Sequence, residues 1–390
     1  MNEDTNKAEV GTLATGVVKT LEARIRCGEL AAGRALPSER ELSAEFQVSR
    51  GIIRSAMQEL GNLGLVLQRK GHRPVVQHLS RLPASGARNL GVWLWPYSGH
   101  FAAASILKGI QATNLGPLTQ VIVASGAGED WNSILDSERD FLESMADDPA
   151  TLGVIVWYLG GERNLPSLEK LQAKRVPIVF VDRMPPVGFD MDYVATNNAY
   201  SATQAVQHLV NLGHRKIGMI SNIDPASSVA EREEGYCRGL LDNGIEVRDD
   251  YIQRATYDAD ESCSATLDAL LGLPDPPTAI FCINDTLGLL VHDILGRKGY
   301  QVPDDISVVG FDGLLRWVPG GGYLTTMRQD FERMGRIAAT LVHERAIGKA
   351  GLLHRHYLLD APISLGSSTG APKQNRPSVE GGSQKLDSTT

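Results

Sequence analysis

The stretch Leu36-Pro37-Ser38-Glu39-Arg40-Glu41-Leu42, followed by Val48-Ser49-Arg50 and by Arg54, decides the fold of the N-terminal part of this chain. Pro37 ends one helix and suits the first turn of the next, which Ser38 can cap. We therefore predict a short helix over residues 39–46 and, after a second cap at Ser49, another helix. Two such helices joined by a tight turn, with arginines early in the second, place side chains in a major groove. This stretch predicts a helix-turn-helix that reads double-stranded DNA.

The second of these helices has two distinct faces. Its apolar residues recur at helical spacing, at Ile53, Met57, Leu60 and Leu63. Arg50, Arg54 and Gln58 lie on the opposite face. A single arginine on a helix is usually part of a solvated charged surface. The ordered set of arginines, rather than any one of them, favours contact with DNA.

Charge along the chain is uneven in a way that suits this prediction. Basic residues outnumber acidic ones between Arg34 and Arg73, although the whole chain has a formal net charge of -8. The rest of the chain is therefore acidic. Only the N-terminal part would be drawn to phosphate, and the acidic remainder would suppress non-specific adhesion to DNA.

Several motifs over roughly residues 10 to 77 together resemble the GntR family of bacterial transcription regulators. They are the long first helix at 17–25, the turn Gly28-Glu29-Leu30, the Pro-Ser-Glu-Arg-Glu-Leu block, Val48-Ser49-Arg50, and Leu63-Gly64-Leu65-Val66 leading into a wing. The resemblance implies that Arg40, Arg50 and Arg54 contact phosphates and guanine edges, to which forked guanidinium donors are suited. The predicted DNA-binding set is Ser38, Arg40, Ser49, Arg50, Gly51, Arg54, Gly71, His72 and Arg73.

Composition limits the class of protein. The chain has 390 residues, 42% of them hydrophobic and 22% charged, which is ordinary for a soluble protein with substantial cores. Its start is polar, and no apolar stretch reaches 18 residues, so we expect neither secretion nor membrane insertion. The four cysteines lack metal-ligand spacing and fit a reducing cytoplasm. We expect a cytoplasmic protein without a metal or a cofactor.

Beyond residue 89, apolar runs alternate with helical patterns. Strands are predicted at 90–95, 120–124, 153–157, 177–181, 216–221, 279–283 and 306–311. Helices are predicted at 101–114, 131–145, 199–212, 231–242, 262–271, 286–298 and 331–347. Continuous apolar strands separated by helices indicate an α/β fold with parallel sheets covered on both faces. Ligands of such folds bind at the carboxyl ends of the strands.

Specific blocks in this region resemble the effector-binding domain of the LacI family, which shares its fold with periplasmic sugar-binding proteins. The blocks are residues 177–183, 208–217, Arg232 with Gly235-Tyr236, 281–285, 299–312 and 324–331. The match covers roughly residues 89 to 369. It implies a two-lobed periplasmic-binding-protein-like domain behind an N-terminal winged helix-turn-helix, as in arabinose-responsive repressors.

The resulting domain plan has four parts: a winged helix at 1–76, a linker at 77–88, an effector-binding and dimerisation domain at 89–369, and a disordered tail at 370–390. The tail is predicted from its Ser, Gly, Thr, Gln and Pro content. We expect a homodimer, because one winged helix makes too few base contacts for useful specificity.

By resemblance, polar side chains would bind a sugar's hydroxyls and aromatic rings would cover its apolar face. The predicted effector-binding set is Trp95, His100, Phe101, Arg183, Arg232, Tyr257, Asn284, Asp312 and Phe331. Alternatives stay open: Asp285 fits a helix N-cap, and Arg232 fits a surface ion pair with its acidic neighbours. Where many sugar-binding relatives have an acidic residue, this chain has Leu159-Gly160-Gly161-Glu162.

The sequence lacks several motifs that are typical of enzymes. The sequence has no phosphate-binding Gly-x-x-x-x-Gly-Lys-Ser/Thr loop, no Gly-x-Gly-x-x-Gly after a strand and no His-Glu-x-x-His helix. We therefore predict a ligand-responsive regulator, most simply a repressor of carbohydrate-utilisation genes that binds operator DNA and a small sugar-like effector. An α/β enzyme or a small-molecule-binding protein acting on carbohydrates is the alternative.

Overall fold

A computed structural model describes residues 3–26, 29–31, 33–62, 65–68, 72–76, 87–95, 101–116, 118–126, 130–223, 226–256, 260–314, 322–351 and 353–373. The chain divides into two compact units. Unit 1 comprises Met1–Ala195 and Phe331–Leu358, and unit 2 comprises Thr196–Asp330 and Leu359–Thr390. Most of the predicted linker, 77–86, and most of the predicted tail, 374–390, lie outside the described residues.

The N-terminal part of unit 1 is a winged helix-turn-helix. Its elements are α1 (Glu3–Arg26), α2 (Glu39–Phe46), α3 (Arg50–Asn62), β1 (Val66–Leu67) and β2 (Val75–Val76). The strands pair antiparallel, with Val66 opposite Val76, and form the wing. Leu21, Leu42, Ile53 and Leu60 are completely buried in one core, because each lies on the apolar face of its helix. The helix predicted at 39–46 is confirmed.

The rest of unit 1 is a mainly parallel six-stranded sheet with helices. Its strands are β3 (Arg88–Leu94), β4 (Thr119–Ser125), β5 (Thr151–Val156), β6 (Ile178–Val181), β7 (Asp192–Thr196) and β13 (His356–Leu359). Its helices are α4 (Phe101–Gln111), α5 (Trp131–Asp147), α6 (Leu165–Ala173) and α11 (Phe331–Ala346). The order across the sheet is β13-β7-β6-β5-β3-β4, and the pairs from β7 to β4 are parallel. Every residue of β5 is buried, as expected for a central parallel strand.

Two glycines let α4 and α11 approach closely in unit 1. A Cβ on Gly109 would clash with the backbone oxygen of Glu332, and a Cβ on Gly335 would clash with that of Ile106. Only residues without a side chain fit at these two positions. This contact attaches α11, which comes late in the chain, to the early part of the unit.

Unit 2 repeats the architecture. Its strands are β8 (Ile217–Asn222), β9 (Ile252–Ala255), β10 (Ala279–Cys282), β11 (Ser307–Asp312), β12 (Thr325–Arg328) and β14 (Ile363–Ser364). Its helices are α7 (Asn198–Asn211), α8 (Ser227–Asp242), α9 (Asp260–Leu271) and α10 (Asp285–Arg297). The order is β14-β12-β11-β10-β8-β9, and only β14 runs antiparallel to its neighbour. The predicted α/β class with parallel sheets is confirmed.

All seven strands predicted beyond residue 89 are present, with ends shifted by a residue or two. The predictions omit α6, β7, β9, β12, β13 and β14. Several of these strands are short. Strand β7 begins with a buried aspartate, Asp192, and a polar residue at this position is more typical of a loop in the sequence. Helix α8 begins at Ser227, earlier than the predicted residue 231.

Two further observations bear on the chain's class and boundaries. Within the described ranges, no helix is both long and apolar enough to cross a membrane. Gly370, the first residue of the predicted tail, donates its N–H to Ser307 Oγ at 3.0 Å.

Candidate DNA-binding and effector-binding sites

The turn between α2 and α3 is built by short polar side chains. Ser38 caps α2: its Oγ accepts from the N–H of Glu41 at 3.2 Å, while its own N–H donates to Glu41 Oε2 at 2.6 Å. Gln47 ends α2 in a left-handed conformation, with φ of 56°. Ser49 Oγ then accepts from the N–H of Ile52 at 3.4 Å in the first turn of α3. The reciprocal capping box satisfies backbone donors that a helix start leaves unpaired.

The arginines of this motif lie at the surface. Arg40 and Arg50 are exposed, and the Arg54 side chain is 70% exposed. Arg54 pairs with Glu39 through two hydrogen bonds, at 3.2 Å from Nε and 2.8 Å from Nη2. These bonds lower the pKa of the Glu39 carboxyl, which stays ionised at neutral pH. The motif can therefore present three guanidinium groups to a nucleic acid. The pair with Glu39 orients the Arg54 group before DNA binds.

The remaining predicted DNA contacts lie around α3 and the wing. Gly51 is exposed near the start of α3, with Ser49 Oγ the nearest atom to an added Cβ, at 3.7 Å. In the wing, His72 and Arg73 are exposed, and Arg73 Nη1 lies 3.9 Å from Glu41 Oε2. Gly71 lies outside the described residues. DNA contact by any of these residues stays a prediction.

In unit 1, predicted effector residues meet at the carboxyl end of β3. Trp95 follows this strand directly and is nearly buried. The Arg183 guanidinium carbon lies 4.8 Å from the Trp95 ring centroid, and the Trp131 ring lies 5.4 Å from it. Trp131 is 45% exposed. In this cation–π and aromatic group the two indole planes are tilted by 54°, and the partly exposed Trp131 ring offers a face that can cover an apolar ligand surface.

A second aromatic pair lies at the end of β5. Phe331, the first residue of α11, stacks on Trp157 with ring centroids 6.5 Å apart. Trp157 Nε1 is buried and has no hydrogen-bond partner among the described residues. A buried indole N–H normally has an acceptor, so Trp157 is a further candidate ligand contact. Phe101 begins α4 and is 39% exposed, while His100 lies outside the described residues.

The loop after β5 is organised by a buried carboxylate. Glu138 of α5 accepts from the N–H of Leu159 at 2.7 Å and from Asn164 Nδ2 at 2.8 Å. Burial raises the pKa of Glu138 from 4.5 to about 7. A Cβ on Gly160 would clash with Asn164 and approach Glu138 Oε2 to 2.5 Å. Glycine at 160 is therefore required by packing over the carboxylate.

In unit 2, Arg232 is the centre of a buried polar cluster. It donates from Nε to Asn198 Oδ1 at 2.9 Å and from Nη1 to the carbonyl of Ile283 at 2.8 Å. Nη1 also lies 3.2 Å from Asp312 Oδ1, and the guanidinium lies 3.9 Å from the Phe311 ring centroid. Gln329 Nε2 donates to the same Asp312 oxygen at 2.7 Å. The alternative of a surface ion pair with neighbouring glutamates is wrong, because Arg232 is only 6% exposed.

Two neighbouring residues make contacts other than those expected of them. Asn284, a predicted ligand residue, caps α10 by accepting from the N–H of Leu287 at 2.8 Å. Asp285, expected as that cap, instead accepts from Thr326 Oγ1 and from the N–H of Leu314. Burial, together with the nearby Asp312 carboxylate, raises the pKa of Asp285 above its ordinary value. Its structural role holds, although the cap itself is one residue earlier. Tyr257 lies outside the described residues.

Sequence reasoning missed several candidate residues that the fold supplies: Trp157, Glu138, Asn198 and Gln329. Trp157 carried a signal, since it is the last residue of the strand predicted at 153–157. Glu138 also did, because it falls on the buried stripe of α5. Among the described residues, no group of three or more His, Cys, Asp or Glu side chains is placed to hold a metal ion.

Comparison with known proteins agrees with this geometry. Residues 13–76 match the family model of bacterial regulatory proteins, gntR family, and residues 206–369 match that of a periplasmic binding protein-like domain. The chain is 25% identical over 345 residues to the arabinose metabolism transcriptional repressor of Geobacillus stearothermophilus, covering 85% of this chain and 92% of that protein.

It is also 33% identical over 174 residues to the HTH-type transcriptional repressor PurR of Mannheimia succiniciproducens, covering 45% of this chain and 52% of that protein. It thus spans about half the length of that relative. A solved structure of the transcriptional regulator CelR with cellobiose shares the fold, with a TM-score of 0.60 and 22% identity over 85% of this chain and 100% of that one. The chain therefore combines a helix-turn-helix segment that matches the gntR-family model with a segment that matches the periplasmic binding protein-like domain.

Proposed function

We propose that this protein is a one-component, ligand-responsive transcription repressor of carbohydrate-utilisation genes, located in the cytoplasm and without catalytic activity. The observation that carries the proposal is the capped turn between α2 and α3, which leaves Arg40, Arg50 and Arg54 exposed, in a chain that also carries a sensor of the periplasmic-binding type. The similarity to named repressors supports it.

We expect the winged helix-turn-helix to contact DNA in two ways. Arginine guanidinium groups bind guanine edges, while other contacts to phosphate fix the orientation of the domain on the DNA. Helix α3 carries Arg50 and Arg54 in its first turns, where a recognition helix contacts bases. His72 and Arg73 in the wing would add phosphate contacts.

The effector is proposed to be a small sugar-like molecule. Two candidate contact sets support this, each within its own unit: Trp95, Phe101, Arg183 and Phe331 in unit 1, and Arg232, Asn284 and Asp312 in unit 2. Aromatic faces beside planar polar groups are the chemistry that captures polyols. The cellobiose bound by CelR, a protein of the same fold, agrees with this class of ligand.

The protein would act as a homodimer, because two winged helix-turn-helix domains related by a dyad can read a pseudo-palindromic operator. Effector binding would change the position of these two domains relative to the DNA. A coupling free energy of about 1–3 kcal/mol would change operator affinity roughly 5- to 150-fold.

The experiment has two steps. A thermal-shift screen of the full chain against pentoses, hexoses, disaccharides, sugar phosphates and nucleobases identifies the ligand, since ligands of the folded state raise the melting temperature. Duplexes selected from a random pool then provide an operator, and its affinity is measured by fluorescence anisotropy with and without the ligand.

We expect saturable duplex binding that the ligand changes at least fivefold. An Arg50→Ala/Arg54→Ala variant should keep the thermal shift and lose operator binding, which separates the two activities. Equal operator affinity with and without every ligand that binds would refute ligand responsiveness. If no duplex bound specifically, the proposed function as a transcription regulator would be wrong, and a binding protein or an enzyme would be favoured.

A further inference from the structure

Unit 2 contains an open pocket away from the cluster around Arg232. We call it the α7 pocket. It has a volume of about 400 Å³ and lies between the outer side of α7 and the segment 360–363, with Met327 of β12 among its lining residues. Tyr200, Gln204, Gln207 and Asn211 of α7 line one side, and Asp360 lies on the other. Pockets that hold small ligands have volumes of roughly 300–1,000 Å³.

Hydrogen bonds orient the polar groups of this pocket in advance. Asn243 donates to Gln207 Oε1 at 2.9 Å, and Gln207 Nε2 donates to Asn211 Oδ1 at 2.9 Å. The chain of amides therefore leaves the Asn211 NH₂ group as a donor. Asp360 Oδ1 accepts from Asn197 at 3.1 Å, and its second oxygen stays available as an acceptor. Gln204 makes no hydrogen bond within the described part of the chain, so its amide can donate and accept.

The charge of the pocket selects the ligand class. No lysine or arginine occurs among the described residues that line it, and the Asp360 carboxylate repels anions. Burial lowers the pKa of the lining His208, which keeps this ring neutral at neutral pH. Tyr200 is half exposed and offers an aromatic face. Amides, one carboxylate and an aromatic ring without cations suit hydroxyl groups better than phosphate or carboxylate groups.

We propose that the α7 pocket is a second small-molecule site, specific for a neutral polyhydroxylated compound such as an unphosphorylated sugar. Asn211 and Asp360 bind its hydroxyls, and the Tyr200 ring covers its apolar face. None of the residues that hold Arg232 lines this pocket, so the pocket is a separate site from the Arg232 cluster. Tyr200 and Asp360 both follow soon after the points at which the chain enters unit 2. A ligand there contacts both entering segments.

Fluorine NMR of the full chain labelled with 3-fluorotyrosine tests the proposal. The Tyr200 resonance is assigned by its loss in Tyr200→Phe. The probes are D-glucose, L-arabinose and cellobiose, with D-glucose 6-phosphate as the anionic counterpart. We expect at least one neutral probe to shift the Tyr200 resonance saturably, and the phosphate ester to bind at least about tenfold more weakly.

Variants separate this pocket from the proposed effector residues. Asn211→Ala and Asp360→Asn should each weaken binding of the probe about tenfold, since the first removes a donor amide and the second replaces a carboxylate acceptor with an amide donor. Leu241→Ala, at an exposed position of α8, is the matched surface control and should leave it unchanged. Trp95→Ala removes a proposed effector contact in unit 1 and should also leave the titration unchanged.

Three results would overturn the proposal. They are no saturable shift with any neutral probe, a shift that persists in both Asn211→Ala and Asp360→Asn, and a shift that disappears in Trp95→Ala. Because the titration uses no DNA, failure of the α7 pocket leaves the proposed repressor function standing, and failure of DNA binding leaves the pocket standing.

Discussion

Arg54 and Glu39 form a two-point ion pair across the helix-turn-helix, from Nε to Oε1 at 3.2 Å and from Nη2 to Oε2 at 2.8 Å. Glu39 is the first residue of α2, and Arg54 lies in the second turn of α3. Both side chains are substantially exposed, so the pair adds little to stability. Its effect is to hold a planar guanidinium in one orientation, which lowers the entropy lost when the fork binds a base.

Glu39→Gln should therefore reduce DNA specificity rather than stability. We expect operator affinity to fall about fivefold, equivalent to ~1 kcal/mol, because Arg54 is no longer oriented by two bonds. Non-specific affinity should rise slightly, because a negative charge is removed near phosphate. Anisotropy titrations with operator and random duplexes measure both. Glu59→Gln removes the same charge from exposed α3, and an identical effect of the two variants would exclude a positioning role.

The salt dependence of binding tests the exposed arginines separately. Arg40→Ala should reduce the slope of log affinity against log salt by about one if Arg40 contacts a phosphate. Arg50→Ala should cost about 1–3 kcal/mol and relax the preference at one base pair if Arg50 contacts guanine. Arg215→Ala changes an exposed arginine in unit 2 and should alter neither quantity. Unchanged slopes and affinities in both head variants would remove these arginines from the interface.

The two adjacent glycines after β5 should respond differently to alanine. At Gly160 a Cβ clashes with Asn164 and Glu138, so we expect the loop to rearrange and the melting temperature to fall by several degrees. At Gly161 nothing lies within 4 Å, but φ is +50°, so we expect a cost of only about 1 kcal/mol from the left-handed backbone. Differential scanning calorimetry compares the two. A larger loss in Gly161→Ala would contradict the packing argument.

Arg232→Ala should destabilise unit 2 strongly. It removes the guanidinium that faces Asp312 and the donors to Asn198 and Ile283, so we expect a loss of roughly 3 kcal/mol in the free energy of unfolding. Arg238→Ala in the same helix breaks an exposed pair with Asp242 and should cost less than about 0.5 kcal/mol. Urea unfolding measures the free energy of unfolding of both variants. Similar losses would show that the effect of Arg232→Ala does not come from the buried cluster.

Glu138 should make stability depend on pH in a defined direction. Its folded-state pKa, about 7, lies above its ordinary value of 4.5, so the folded state holds the proton more tightly. Its contribution is full below about pH 4.5 and is lost as the pH rises to about 7, by at most ~3 kcal/mol. Burial also raises the pKa of Asp285, which therefore acts in the same direction. Glu138→Gln should therefore flatten the fall in unfolding free energy between these pH values, and an unchanged profile would assign the dependence elsewhere.

Local patterns in the chain were enough to predict the helix-turn-helix and the central strands of both units. Caps such as Ser38 and the apolar spacing at Ile53, Met57 and Leu60 act between residues close in sequence. Buried parallel strands such as β5 show as continuous apolar runs. Short edge strands such as β14 and the polar start of β7 lack such runs, which is why they were missed.

The sequence by itself determined the class of both parts: the capped turn with its arginines, and the alternation of buried strands and helices. Only the tertiary structure decided which distant side chains meet. It stacked Phe331 on Trp157, placed Glu138 under Gly160, and gave Asp312 both Arg232 and Gln329 as partners. The physical reason is range: caps and periodicity depend on neighbours a few residues apart, whereas these contacts arise from strand order and helix packing, which no short stretch encodes.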